Sequence, residues 1–399
     1  ACAARGGSSR DELAARLRGG DASAEAAAGV LRALGAPGHA AVARAFPGLD
    51  EGGRRVALHV IDQAPCAESA PVLVEALMGP HAAQRQHAEV RLERCGGAAS
   101  PALVEALRGA KAPATVALLR TLVIVDPAEA VRQVLPRLRG ASAKQRRALR
   151  GVLAHAADAA AARPVLVAAL ADASLPAETT LELLRALAAQ LPQLQPEAGR
   201  AFARLARQDA EFRARYLLAE PAAALAPTDA TARAWVAWSL LSDPERRVRA
   251  RFAEAIGEPG PFEAELVRAL GDGEVRVRVA ALEALTRAPS ARVAEPVAEL
   301  IRRDPWPMAR AAAAAVAAVA PADPELDRAL VAALRDRSPR VRQPVVVALG
   351  ARRVVESAKP LRKRLTDRDE AVGVRIAAAG ALAAVCDPAA VEPLTRLAR

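Results

Sequence analysis

Aromatic side chains are almost missing from this 399-residue sequence: five Phe, three Trp and one Tyr make up 2% of it. Large aromatic anchors therefore cannot dominate a core or an interface, nor supply a row of base-stacking platforms. Cysteine is scarce too, and four in so long a chain exclude a disulfide-rich scaffold. No uninterrupted run of about 18 apolar residues is present to span a bilayer as a helix, so a soluble chain is expected. Lysine is limited to Lys111, Lys144, Lys359 and Lys363, against 56 basic residues in all. An Arg-rich, Lys-poor, Ala-rich composition is what a GC-rich genome produces, so a net charge of +11 is weak evidence for phosphate binding. The excess is also spread evenly, +6 over residues 1–240 and +5 over 241–399, with no basic arm or acidic tail. What remains is abundant Ala, Leu and Val. Ala and Leu lead the helix propensity scale and pack helices closely, so the expected class is all-α.

Internal repetition organises the chain. PVLVEAL at 71–77 returns as PALVEAL at 101–107 and PVLVAAL at 164–170. In the second half an Asp is followed by an apolar residue at +5, Arg at +6, an apolar residue at +9 and small or apolar residues at +12 and +13. The Asp/Arg pairs are Asp243/Arg249, Asp272/Arg278, Asp304/Arg310, Asp336/Arg342 and Asp369/Arg375. The apolar offsets trace one face of an α-helix. A second apolar helix precedes each Asp, so each unit reads helix, tight turn, helix. The Asp is expected to N-cap the second helix, with Pro244, Pro305 and Pro339 near its first turn.

These units resemble HEAT repeats, in particular the short bacterial form L-x-x-L-x-D-x-x-x-x-V-R-x-x-A-x-x-A-L, a kind also seen in phycobiliprotein lyase-like proteins. The resemblance implies an α-α superhelix, a HEAT-type solenoid of about twelve helix pairs. Residues 1–10 are expected to be flexible and 11–399 to form a single solenoid. Within it lie divergent repeats at 11–225, regular repeats at 228–384 and a capping helix at 387–399. In the divergent part Gly79, Gly109 and Gly140 stand at the Asp position, while Arg85 and Arg146 keep +6. Recurrence of the Asp/Arg pair once per unit argues for a structural ladder between neighbours rather than acid–base chemistry.

Function is sought on the outward face of the second helices, which in such solenoids lines the concave surface. Its positions carry little charge, unlike a nucleic-acid groove. Val279, Leu282, Glu283, Gln343, Val346, Val347 and Ile376 are the candidate partner-binding residues. The expected role is a non-catalytic scaffold that binds a protein partner on this face, acting as a monomer without cofactor or metal. One alternative is a nucleic-acid-binding solenoid using the basic clusters at 132–150 and 335–364. The first of these contains Arg139, Lys144, Arg146, Arg147 and Arg150. Another is an enzyme of a HEAT-containing lyase or hydroxylase family, for which no catalytic motif is present. The five histidines, His39, His59, His81, His87 and His155, show no H-E-x-x-H spacing. Trp235 and Trp238 are expected to pack in the core or between repeats, and Cys66, Cys95 and Cys386 to be buried small hydrophobes. Cys2, in an Ala-Cys-Ala-Ala start ahead of Gly-Gly-Ser-Ser, resembles a bacterial lipoprotein attachment site. A cytoplasmic chain is favoured, and a lipid-anchored envelope protein is the alternative.

Overall fold

Ala, Leu and Val at helical spacing produce helices too short and too one-sided to stand alone, so each must bury its apolar face against neighbours. A computed structural model describes residues 2–207 and 212–397, with twenty-six α-helices and no strand among them. The helices follow each other as antiparallel hairpins within two compact units, residues 1–190 and 191–399. The division falls inside the stretch that the sequence reads as one array.

In the N-terminal unit the first helix, Cys2–Ala15, takes in most of the segment expected to be a tether. Helix starts carry their own signals. Asp21, Asp50 and Asp126 accept bonds from backbone N–H groups three residues on, and Ser142 forms a capping box with Gln145. Asp50 does more than cap, because both its oxygens also accept from the Gly19 N–H at 3.0 Å. Those backbone donors hold its carboxyl below the usual carboxylate range. Gly20 has φ +64° and lies so close to Gly52 that a Cβ would come within 2.8 Å of its carbonyl carbon, which only glycine permits. Cys66 and Cys95 are joined by a disulfide. They are therefore not inert packing residues: the bond ties the start of helix Cys66–Met78 to the end of helix Ala82–Cys95.

The C-terminal unit contains the regular repeats. Second helices Arg246–Ala255, Val275–Leu285, Pro307–Val319, Pro339–Ala351 and Val372–Ala384 stack side by side. The stretch 195–225 departs from a simple pair, with helices Glu197–Arg207, Phe212–Leu217 and Ala219–Leu225. Pro221 accounts for the last break, since proline is tolerated in a first turn but not inside a continuous helix. The core is aliphatic, with Phe46, Phe202 and Phe252 as its only fully buried aromatics among the described residues. Second helices approach closely at Gly350, where a Cβ would sit 2.8 Å from the Ala381 Cα.

Candidate functional site

The recurring Asp and Arg side chains form a chain of rungs in the C-terminal unit. Arg249 Nε donates to Asp272 at 2.7 Å, Arg278 Nε to Asp304 at 2.7 Å and Arg310 Nε to Asp336 at 2.8 Å. Each arginine spans to the next repeat and, through Nη1, bonds the carbonyl of its own turn aspartate, at 2.9, 2.8 and 2.5 Å respectively. The ladder starts one rung earlier, with Arg215 Nε on Asp243 at 2.8 Å, a residue outside the sequence pattern. It ends differently as well. Arg342 Nε donates to Glu370 at 2.8 Å, while Asp369 is exposed, so the acid has slipped by one position in a repeat 33 residues after its predecessor. The longer Glu side chain reaches where Asp369 points to solvent. Among the described residues, Arg375 reaches no carboxylate and bonds the Leu365 carbonyl at 3.2 Å.

The turn aspartates do not N-cap. Asp243, Asp272, Asp304 and Asp336 accept from the N–H two residues on, at 2.8–2.9 Å, closing a local turn before the second helix begins. The N-cap residues are Glu245, Glu274, Trp306 and Ser338, none with a side-chain cap bond. Burial raises the Asp272 carboxyl, but the Arg249 hydrogen bond, the Glu274 N–H and the charges of Arg249 and Arg278 outweigh it, and the net direction is down. Glu370 behaves likewise: burial raises it, while Arg342, Arg364 and the Ala371 N–H bring it below its ordinary value. A carboxyl with a lowered folded pKa contributes stability that is complete above the unfolded value and fades as pH falls through the folded one. The unfolding midpoint of the C-terminal unit is thus expected to hold from neutrality to about pH 5 and to drop below about pH 4. A flat profile through that range, followed by circular dichroism, would contradict this assignment.

The proposed partner-binding residues separate into two groups. Leu282 and Val346 are fully buried, at offset +10 from the turn aspartate, because that position faces the neighbouring second helix. They cannot form an exposed groove. Val279 is half-buried, while Glu283, Gln343, Val347 and Ile376 are exposed. The exposed stripe instead runs through offsets +3, +4, +7 and +11, where Val372, Met308, Ile376 and Val347 stand. These offsets share one helical face. Val346→Asp should therefore cost more than about 3 kcal/mol by burying an unpaired charge. Ile376→Asp, in open solvent, should change stability by no more than about 0.5 kcal/mol, as read from urea midpoints.

Much of the basic charge is committed. In the cluster at 132–150, Arg146 and Arg150 converge on Glu182, at 3.9 and 2.8 Å, and Arg146 also pairs with Glu178. Glu182 is buried and joined by Arg185, a local equivalent of the ladder that the sequence pattern did not reveal. Arg139, Lys144 and Arg147 are exposed and have no ion pair among the described residues. In 335–364, Arg342, Arg352, Arg362 and Arg364 are paired, whereas Arg335, Lys359 and Lys363 line a groove of about 1160 Å³ between helices Pro324–Ala333 and Ala358–Thr366 and have no carboxylate partner among the described residues.

The remaining candidates are scattered. His39 bonds Glu68 at 3.1 Å and His87 bonds Asp62 at 2.9 Å, and no group of His, Cys, Asp and Glu suited to a metal occurs among the described residues. Trp235 packs edge-on to Phe202 at 6.2 Å and carries Trp238 at 5.9 Å on its other side, with Trp238 left partly exposed at the surface. Cys386 is exposed rather than buried, because it follows the end of helix Val372–Ala384 at a positive φ of 55°. The side chain of Cys2 lies outside the described residues.

Residues 233–318 and 327–399 match the sequence profile of HEAT repeats. This part of the chain is a HEAT-repeat array. No curated protein sequence matches the chain. Among solved structures, Kap121p bound to Ste12p is similar over 98% of this chain and 50% of its own length, with a TM-score of 0.55 and 12% identity. The karyopherin Kap121p bound to the extreme C-terminus of the protein phosphatase Cdc14p gives a TM-score of 0.54 and 13% identity, over 98% and 51%. Kap95p, in a structure concerned with the switch loops of RanGDP, gives 0.51 and 12%, over 98% and 57%. The chain thus spans about half the length of these structures, and at such identity the likeness is one of fold. The fold is all-α, an α-solenoid of HEAT-type helix pairs.

Proposed function

We propose that the chain is a non-catalytic protein-interaction scaffold whose HEAT array receives a segment of a protein partner on the second-helix face. The carrying observation is the set Met308, Val347, Val372 and Ile376. Each is more than half exposed, on successive second helices and on one face, while Arg310 and Arg342 beside them are bound to carboxylates. Exposed apolar side chains aligned across several elements mark interaction surfaces better than single ones do. Protein ligands named in the solved structures of similar fold are consistent with this use. The Cys66–Cys95 disulfide supports an oxidising compartment for the scaffold over the cytoplasm.

Partner capture from the source organism, with a Val347→Asp/Ile376→Asp protein as control, tests the reading. Loss of a salt-resistant protein partner in the folded variant is the expected result. Unchanged recovery would remove this face from the interaction. A second reading, nucleic-acid binding, draws on Arg139, Lys144, Arg147, Arg335, Lys359 and Lys363, which have no ion pair among the described residues. It requires that affinity for duplex or single-stranded DNA fall steeply with salt.

A further inference from the structure

The second-helix face changes character towards the start of the HEAT array. Helices Phe212–Leu217, Arg246–Ala255 and Val275–Leu285 border a groove of about 850 Å³. Its apolar lining is supplied by Phe212, Tyr216, Val275, Val279 and Met308. The two rings pack together with centroids 6.2 Å apart, and the Arg251 guanidinium lies 5.8 Å from the Tyr216 ring, fixing that side.

Charge around this lining is unbalanced. Arg251 pairs with Glu220 and Glu254, and Arg246 pairs with Glu274 at 3.0 Å, so these two are already neutralised. Three others are not. Arg213, Arg247 and Arg276, one from each of the three helices, are exposed and have no carboxylate partner among the described residues. Glu283 is the one lining carboxylate without a partner among those residues. An unpaired guanidinium at the rim of an apolar groove creates a local positive potential that selects the sign of what docks there. Arginine also holds carboxylates in a forked, two-bond geometry.

We propose that this groove binds an acidic amphipathic segment of a protein partner, with apolar side chains on Phe212, Val279 and Met308 and carboxylates on Arg213, Arg247 and Arg276. The proposal rests on the reading of the second-helix face as the partner-binding surface, and adds the chemistry of the partner. A floor of aliphatic and ring side chains favours a peptide over a nucleic acid, whose backbone would leave the apolar residues uncovered.

Fluorescence anisotropy with the full chain tests it, using three labelled probes: a short peptide of alternating glutamate and leucine, the same peptide with lysine for glutamate, and a single-stranded oligonucleotide. The glutamate peptide should bind and the lysine peptide should not. In an Arg213→Glu/Arg247→Glu/Arg276→Glu protein, shown to be folded by circular dichroism, affinity for the glutamate peptide should fall about tenfold or more and the lysine peptide should now bind. Met308→Asp, which leaves the arginines in place, should weaken the glutamate peptide as well. Equal binding of both peptides, indifference to the charge reversal, or displacement of the glutamate peptide by the oligonucleotide would overturn the proposal. A partner that is lost in Val347→Asp/Ile376→Asp but kept in the arginine-reversed protein would leave the interaction face standing while removing the acidic chemistry.

Discussion

Arg278→Met is expected to destabilise the C-terminal unit by about 3–5 kcal/mol, because it leaves a buried carboxylate without its counter-charge. Arg278 and Asp304 are 7% and 6% exposed, the most enclosed rung of the ladder among the described residues. The guanidinium makes two parallel bonds to Asp304, at 2.7 and 3.0 Å, and a further bond to the Asp272 carbonyl at 2.8 Å. Without it, the Asp304 carboxylate keeps only the Trp306 N–H and is left as a buried charge without compensation. The double variant Arg278→Met/Asp304→Asn should recover most of the loss, since asparagine retains the turn acceptor and carries no charge. Removing the exposed pair Arg328–Glu325 is the control, and should matter by less than about 1 kcal/mol. Urea unfolding of all three proteins checks the ranking. Equal losses for the buried and exposed pairs would mean that burial does not set the strength of the ladder.

Reduction of the Cys66–Cys95 disulfide, or Cys66→Ala/Cys95→Ala, is expected to lower the stability of the N-terminal unit by about 3–4 kcal/mol. The bond closes a loop with a sequence separation of 29 residues, and a loop of that size restricts the unfolded chain by about that amount. The effect should be confined to transitions reporting the N-terminal unit, because both cysteines lie in it. Protein isolated without reductant should also resist alkylation at both positions by mass spectrometry, while exposed Cys386 reacts. Ready alkylation of Cys66 and Cys95 in freshly isolated protein would place the chain in a reducing compartment and weaken the case for an oxidising one.

The fold was legible because its information is periodic. A carboxylate and a guanidinium that recur once per unit, with apolar residues at helical spacing between them, reveal hairpins, their order and the residues linking them. What a lone repeat pattern does not reveal is where the helix face turns from solvent to neighbour. Leu282 and Val346 occupy positions opposite the hairpin's own core and so looked exposed. The adjacent second helices pack so closely, down to Gly350 against Ala381, that this opposite side is buried too. Glu370 was missed for a related reason: fixed spacing identified Asp369, but reach and burial, not register, decide which acid meets Arg342. The Cys66–Cys95 pair had no periodic signal, and chain separation alone does not bring two thiols within bonding distance. The unpaired Arg213, Arg247 and Arg276 were likewise hidden, because pairing is a property of three-dimensional neighbours that the sequence of charges does not show.

One property of the ladder bears on how this protein can change in size. Asp272, Asp304 and Asp336 are separated by 32 residues each, and every one of them is shared between an arginine from the preceding unit and the turn of its own. Excising residues 304–335 would set Asp336 directly after Arg303, in the place of Asp304, and Arg278 would meet an identical carboxylate in an identical turn. Cutting one residue more or less would rotate the following helix by about 100° and leave that guanidinium facing the wrong side. Between Asp272 and Asp336, then, a whole module can be lost or gained without stranding an internal charge, whereas a change of other size needs a compensating shift such as the one that brings Glu370 to Arg342.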